Sequence, residues 1–241
     1  MTTVAVVTGG TKGIGRRVSE MLLERDCTVV ATFKSDQQGA DDFARHAGNT
    51  AIVRQVNGRC EEEVKQLQSE IAASIGPCQI LINNAGVTND GLFSSVSADS
   101  FLDTLMTNFG SVIHFSKAFL PEMIRTRQGD IVNIGSVAGT KAKVGNLAYG
   151  CSKVAVERFT AGLSIELARF NVRVNCVAPG YVDTQMFERY AGSKRDEIIQ
   201  KIPGRRILNP DEIAKTIVAF ALRDISTTGT IARVGNGENA L

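Results

Sequence analysis

VAVVTGGTKGIG, residues 4–15, decides the fold. Residues 4–8 form an apolar, β-branched run with strand character, and RRVSEMLLER (16–25) repeats its apolar residues at helical spacing. Between them lies a loop with Gly9, Gly13 and Gly15. Such glycines permit a tight turn and let backbone approach a pyrophosphate. The helix start that follows offers N–H donors and the positive end of a dipole. The loop does not read GxxxxGK(S/T), so its expected ligand is a dinucleotide rather than ATP. Thr11, Lys12 and Ile14 lie in the same loop and join the glycines as candidate cofactor contacts.

Outward from this loop, short β-branched runs alternate with helical patterns. Strands are expected at 28–33, 51–56, 79–83, 130–136, 172–178 and 230–234. Helices are expected to about 47, at 61–75, twice within 98–127 with Pro121 bending or interrupting the second, at about 150–170, and at 210–222. Near-continuous apolar strands joined by helices make a parallel sheet covered on both faces. Right-handed crossovers make it doubly wound. The expectation is a Rossmann-type α/β fold of about seven strands, one domain over 1–241, with a substrate-covering helical segment at about 184–205. Ligands of such sheets bind at the carboxyl ends of the strands, near the switch point, so the residues just after strands are where chemistry is sought.

Composition narrows the function. The net charge of +2 gives no global argument for nucleic acid. Five cysteines (Cys27, Cys60, Cys78, Cys151, Cys176), widely spaced and without a CxxC, read as free thiols of a reducing compartment. With only His46 and His114 beside them, no metal site is expected. The N-terminus reads directly as a strand, and no apolar run approaches the roughly 20 residues that span a bilayer. The expected location is cytoplasmic, with no membrane contact.

The run 28–33 ends TFKSD. A carboxylate at that end binds the adenosine ribose of NAD. Here the position is Phe33, followed by Lys34, and Lys12 stands in the glycine loop. Two cations fit a 2′-phosphate and hence NADP(H). The other reading has two solvated lysines, with Asp36 acting as the carboxylate.

NLAYGCSK, residues 146–153, sets Tyr149 and Lys153 four apart, on one helix face. Alone, the pair reads as two surface residues. In order with TGGTKGIG, NNAG (83–86), Asn108, Ser136 and PG (179–180), it resembles the short-chain dehydrogenase/reductase family from about residue 4 to 186. The resemblance implies carbonyl reduction or its reverse, with Asn108, Ser136, Tyr149 and Lys153 as catalytic residues. Reduction needs a proton donor on the developing alkoxide. A free tyrosine has a pKa of about 10, which a nearby ammonium and an oxidised nicotinamide lower. Lys153 would supply that ammonium and grip the nicotinamide ribose. Ser136 would hold the carbonyl oxygen, and Asn108 a water that resupplies protons. Read singly, Ser136 is a strand-end cap, Asn108 a polar helix residue and Asn83–Asn84 a turn. The resemblance also implies cofactor contacts from Asn84, Ala85 and Gly86, from Pro179 and Gly180, from the Val182 backbone and from Thr184.

Residues 84–93, 129–153 and 172–186 look most like 3-oxoacyl-(acyl-carrier-protein) reductases. These reduce a 3-oxoacyl thioester with NADPH. Carrier proteins are acidic, so a basic rim would steer them. Arg127 matches a carrier-contacting position, Arg125 and Arg169 are its neighbours, and the family's second such arginine falls on Phe170. Other departures are Asn57-Gly58 where Asp-Val usually holds adenine, SSVSADS after NDGLF, and VGNGENAL at the C-terminus. They suggest a specialised reductase, in fatty acid or in polyketide and other secondary-metabolite synthesis. A reductase of free carbonyls or an alcohol dehydrogenase is the alternative, and a non-catalytic cofactor-binding subunit a third reading. The apolar residues of 150–170 exceed one core-facing stripe, so a homotetramer is expected, with a dimer second.

Overall fold

The structure, a computed structural model, describes residues 2–238. The last three residues of VGNGENAL lie outside them. One parallel sheet is built from β1 (Val4–Val7), β2 (Thr28–Phe33), β3 (Ala51–Gln55), β4 (Cys78–Asn83), β5 (Gly129–Ile134), β6 (Val172–Pro179) and β7 (Ile231–Val234). The order is β3-β2-β1-β4-β5-β6-β7, so the winding reverses between β1 and β4. That reversal is the switch point, and the glycine loop leaves β1 at it.

The helices are α1 (Gly13–Leu23), α2 (Gln37–Ala47), α3 (Glu61–Ser74), α4 (Ala98–Leu105), α5 (Ser111–Thr126), α6 (Leu147–Leu167), α7 (Gln185–Ala191), α8 (Arg195–Lys201) and α9 (Pro210–Ala221). Alternate strand residues feed two cores, as the two-residue period of a strand dictates. Ala5, Val7, Ile80 and Ile82 pack under Val18 and Leu22 of α1 and Ile213 and Ile217 of α9. Val4, Val6, Leu81 and Ile131 pack under α3, α5 and α6 through Leu67, Phe115, Phe119 and Leu167. Each fully buried side chain of this size contributes about 1.5–3 kcal/mol of transfer free energy.

Three features differ from the sequence reading. Pro121 lies inside α5 without ending it, and the break in 98–126 falls earlier, at a π-helical turn over Met106–Gly110. That turn carries Asn108. The expected strand 130–136 ends at Ile134, which leaves Ser136 beyond it as the cap of a 3-10 turn at Val137–Gly139. Helix α6 starts at Leu147, so Tyr149 stands in its first turn.

A buried polar chain fixes α6 against the sheet. Asn83 Nδ2 donates to Asn133 Oδ1 at 2.8 Å, and Asn133 Nδ2 donates to Thr160 Oγ1 at 2.9 Å. Buried polar groups that find partners specify one arrangement of the elements carrying them. Here β4, β5 and α6 are locked in rotation, and Tyr149 and Lys153 are turned towards the carboxyl ends of the strands.

Candidate active site

The glycine loop is shaped by close approach. Gly9 and Gly13 have φ of +63° and +53°, a region that disfavours side chains. A Cβ on Gly15 would stand 2.2 Å from Gly9 O. The loop is stitched to the segment after β4. Asn84 Nδ2 donates to Thr8 O at 2.9 Å, and Asn84 N and Ala85 N both donate to Thr8 Oγ1 at 2.9 Å. Thr11 Oγ1 is buried and lacks a hydrogen-bond partner. An orphaned hydroxyl in a glycine cradle at a helix start fits a phosphate oxygen as its acceptor.

Thr184 closes the cradle from across the sheet. It caps α7, its Oγ1 accepting from Phe187 N at 3.3 Å, and its methyl lies 3.6 Å from where a Cβ on Gly13 would be. Pro179 ends β6, and Gly180 N donates to Val234 O at 2.8 Å. Val182 is bridged to Leu208 through its neighbours: Asp183 N donates to Leu208 O, and Leu208 N to Tyr181 O.

At the adenosine end, Phe33 is buried as the last residue of β2, and the Lys34 carbonyl accepts from Gln55 Nε2 at 2.9 Å. Lys12 Nζ reaches Asp36 Oδ2 at 3.2 Å. Asp36 caps α2, accepting from Gly39 N at 3.0 Å. The Gly39 N–H, then Lys12, hold its carboxyl below the usual range, and the charge of Arg189 on α7 adds to this. The expectation of two cations and no carboxylate is thus amended. A carboxylate stands among them, and one of the cations is bound to it. Asn57 and Gly58 follow β3. Asn57 Oδ1 accepts from Arg59 N at 3.3 Å, and the Gly58 carbonyl pairs with His114 Nδ1 at 2.9 Å.

Asn108, Ser136, Tyr149 and Lys153 come together from four places: the π turn, the segment after β5, and the first and second turns of α6. Asn108 is buried. Its Oδ1 accepts from Val87 N at 2.8 Å, and its Nδ2 donates to Val87 O at 2.9 Å and Ser152 Oγ at 3.0 Å. A Cβ on Gly86 would lie 3.4 Å from Asn108 Oδ1 and 3.6 Å from Lys153 Nζ, so the bare glycine sits between the two. Lys153 is buried, and its Nζ donates to Ile134 O at 2.7 Å. Burial brings its pKa down to about 8. The ammonium stands 5.5 Å from the Tyr149 ring centroid. Ser136 Oγ accepts from Ala138 N at 3.1 Å, so it is a cap and a site residue at once.

Burial raises the Tyr149 phenol, hydrogen bonding from Ser136 opposes this, and the charge of Asp90 raises it further. Desolvation of the anion wins because the ammonium is turned to the Ile134 carbonyl rather than to the phenol.

Arg125, Arg127 and Arg169 gather, but away from this site. Arg127 Nη2 donates to Arg169 O at 2.8 Å, and Arg125 pairs with Glu122 at 3.0 Å. Arg127 caps α5 just before β5, and Arg169 precedes β6. In a parallel sheet both positions lie at the amino ends of the strands. That is about 17 Å of strand from the carboxyl ends where Ser136 and Tyr149 stand. The three arginines thus form a basic patch at the amino edge of the sheet.

Several site neighbours escaped the sequence reading: Ser152, Asp90, Lys143, Arg189 and Glu238. Glu238 is buried, with Oε1 accepting from Tyr181 N at 3.1 Å and Oε2 from Asn236 N. Only the helical spacing of Ser152 next to Tyr149 gave a signal; the rest depend on loops meeting in space.

A family model described as short chain dehydrogenase matches residues 3–194. The chain belongs to the short-chain dehydrogenase family. It is 34% identical over 235 residues to the 3-oxoacyl-(acyl-carrier-protein) reductase FabG of Haemophilus influenzae, covering 97% of each chain. It is 33% identical over 236 residues to FabG of Escherichia coli, covering 97% of this chain and 96% of that one. The solved structure of levodione reductase matches with a TM-score of 0.94 at 22% identity, over 100% of this chain and 99% of the other, a likeness of fold. This short-chain dehydrogenase is accordingly an oxidoreductase with a nicotinamide cofactor. Among its described residues no helix is long and apolar enough to cross a membrane.

Proposed function

We propose that this short-chain dehydrogenase reduces a 3-oxoacyl thioester, carried on acyl carrier protein, to the 3-hydroxyacyl form with NADPH, in fatty acid or polyketide and other secondary-metabolite synthesis. The observation that carries the reaction type is the convergence of Asn108, Ser136, Tyr149 and Lys153 beside the glycine cradle. The names of the relatives at 33–34% identity support the substrate class.

Gly9, Thr11, Gly13, Ile14 and Gly15 would hold the pyrophosphate, with Thr184 over it, and Lys12 and Lys34 the 2′-phosphate. Asn57 and Gly58 would meet the adenine, Asn84 to Gly86 the central ribose region, and Pro179, Gly180 and Val182 the nicotinamide. A bound nicotinamide supplies the hydride. The chain's own residues supply the rest. Ser136 holds the carbonyl oxygen and stabilises its growing charge. Tyr149, kept protonated by burial, donates the proton to that oxygen. Lys153 steadies the phenolate left behind. Asn108, anchored through Val87 and Ser152, orders the water that returns the proton.

Exposed Leu102, Met106, Val154 and Ile165 on the outer faces of α4, the π turn and α6 support burial against a second copy, and hence a homotetramer or dimer. The Arg125–Arg127–Arg169 patch would steer an acidic carrier by charge from outside the cleft.

Steady-state reduction of a carrier-bound 3-oxoacyl thioester against small free ketones tests the proposal. Preference for the carrier thioester supports it. Turnover of the free ketones alone replaces it with the free-carbonyl reading.

A further inference from the structure

Beyond the four candidate catalytic residues, the cleft mouth holds a cation with no role in the chemistry above. Lys143 lies on the loop between Ser136 and Tyr149. Its Nζ hydrogen-bonds the Tyr181 hydroxyl and stands 4.1 Å from the Tyr181 ring centroid. Tyr190 of α7 stacks on the same ring, with centroids 6.0 Å apart at 26°. The cluster borders the reacting groups, because Lys143 and Tyr149 flank Asn146 at three residues on either side and Tyr181 follows the carboxyl end of β6. Asp90 accepts from Asn146 Nδ2 at 2.8 Å.

Among the described residues no carboxylate pairs with this ammonium. Glu238 acts on it only through its field, since both Glu238 oxygens are taken by backbone N–H groups of Tyr181 and Asn236. The Lys143 side chain is exposed, so its ammonium, held at the Tyr181 ring, is within reach of an anion on an incoming substrate. The neighbouring hydroxyls of Tyr181 and Tyr190 are further donors to such an anion.

We infer that Lys143 is the specificity-determining residue of the cleft and reads an anionic oxygen group, carboxylate or phosphate, on the carbonyl substrate. The inference rests on the reading of this site as a carbonyl reductase. The anion has two sources: the carboxylate of a free 3-oxo acid, or the phosphate of a carrier's prosthetic arm.

The test compares the wild-type protein with Lys143→Met and Lys143→Arg on four substrates with NADPH. These are acetoacetate, its ethyl ester, its N-acetylcysteamine thioester, and acetoacetyl carrier protein. Lys143→Met raises KM about tenfold or more for an anionic substrate and changes KM for the two neutral ones by no more than about twofold. Lys143→Arg restores most of the difference. Which anion responds names the source. Equal changes for charged and neutral substrates, or no change, overturn the inference. Acetoacetate turned over without the carrier thioester removes the carrier reading and leaves Lys143 its role. Independently of turnover, 3-hydroxybutyrate is titrated into the NADPH-loaded protein and followed by cofactor fluorescence. Binding weakened by Lys143→Met supports the carboxylate source; if neither this binding nor the KM of either anionic substrate responds, the inference is overturned.

Discussion

Asn108 Nδ2 and Ser152 Oγ are joined at 3.0 Å across the gap between the π turn and α6. Ser152 in turn donates to Tyr149 O at 2.7 Å, so one hydroxyl ties the turn that carries Asn108 to the helix that carries Tyr149 and Lys153. Ser152→Ala leaves a buried amide donor unmet. The expected cost is about 1–3 kcal/mol of stability. Because Asn108 keeps its Val87 bonds but loses its tie to α6, kcat for carbonyl reduction falls while NADPH affinity is kept. Urea unfolding and cofactor titration check the two together.

Tyr149→Phe removes the proposed proton donor and keeps the ring. Reduction of any ketone should fall by about 10²–10⁴-fold. NADPH binding, read by cofactor fluorescence, should be retained. Unchanged reduction would refute the assigned role.

The pH profile follows from Lys153, whose pKa burial lowers to about 8. Below that value the ammonium is present, and above it the charge is lost. Tyr149, pushed up by burial, stays protonated through the neutral range. The kcat/KM for reduction is therefore level below about pH 8 and falls above it. Lys153→Met should abolish this break along with most of the rate.

Lys12 stands between two partners, Asp36 in the free chain and the 2′-phosphate in the proposed complex. Lys12→Ala should lower kcat/KM for NADPH about tenfold, the scale of one charge-assisted phosphate contact. NADH should change little. The ratio of the two is the measurement, and an equal loss with both cofactors would count against NADP.

Asp130, at the amino end of β5, is buried and accepts from Arg173 Nε at 2.7 Å and Arg223 Nε at 2.9 Å. Removing one member of a buried ion cluster strands the others. Asp130→Ala should cost about 3–5 kcal/mol in urea unfolding. Because it lies at the edge opposite Tyr149, the folded fraction should keep its kcat.

The sequence by itself determined the sheet, the glycine loop and the shared helix face of Tyr149 and Lys153, because these rest on local periods. Two-residue alternation gives strands, a four-residue step puts Tyr149 and Lys153 on one face, and glycines mark a backbone that must come close. It also marked Asn108 and Ser136 by their order along the chain. Only the tertiary structure decided what surrounds them. Burial, a property of the whole packed site, raises the Tyr149 phenol. The topology sends Arg127 and Arg169 to the amino edge although they are close in sequence to strands that end in the cleft. Lys143, Tyr181 and Glu238 meet from three segments with no shared spacing, since loops are joined by the sheet beneath them rather than by any repeat in the chain.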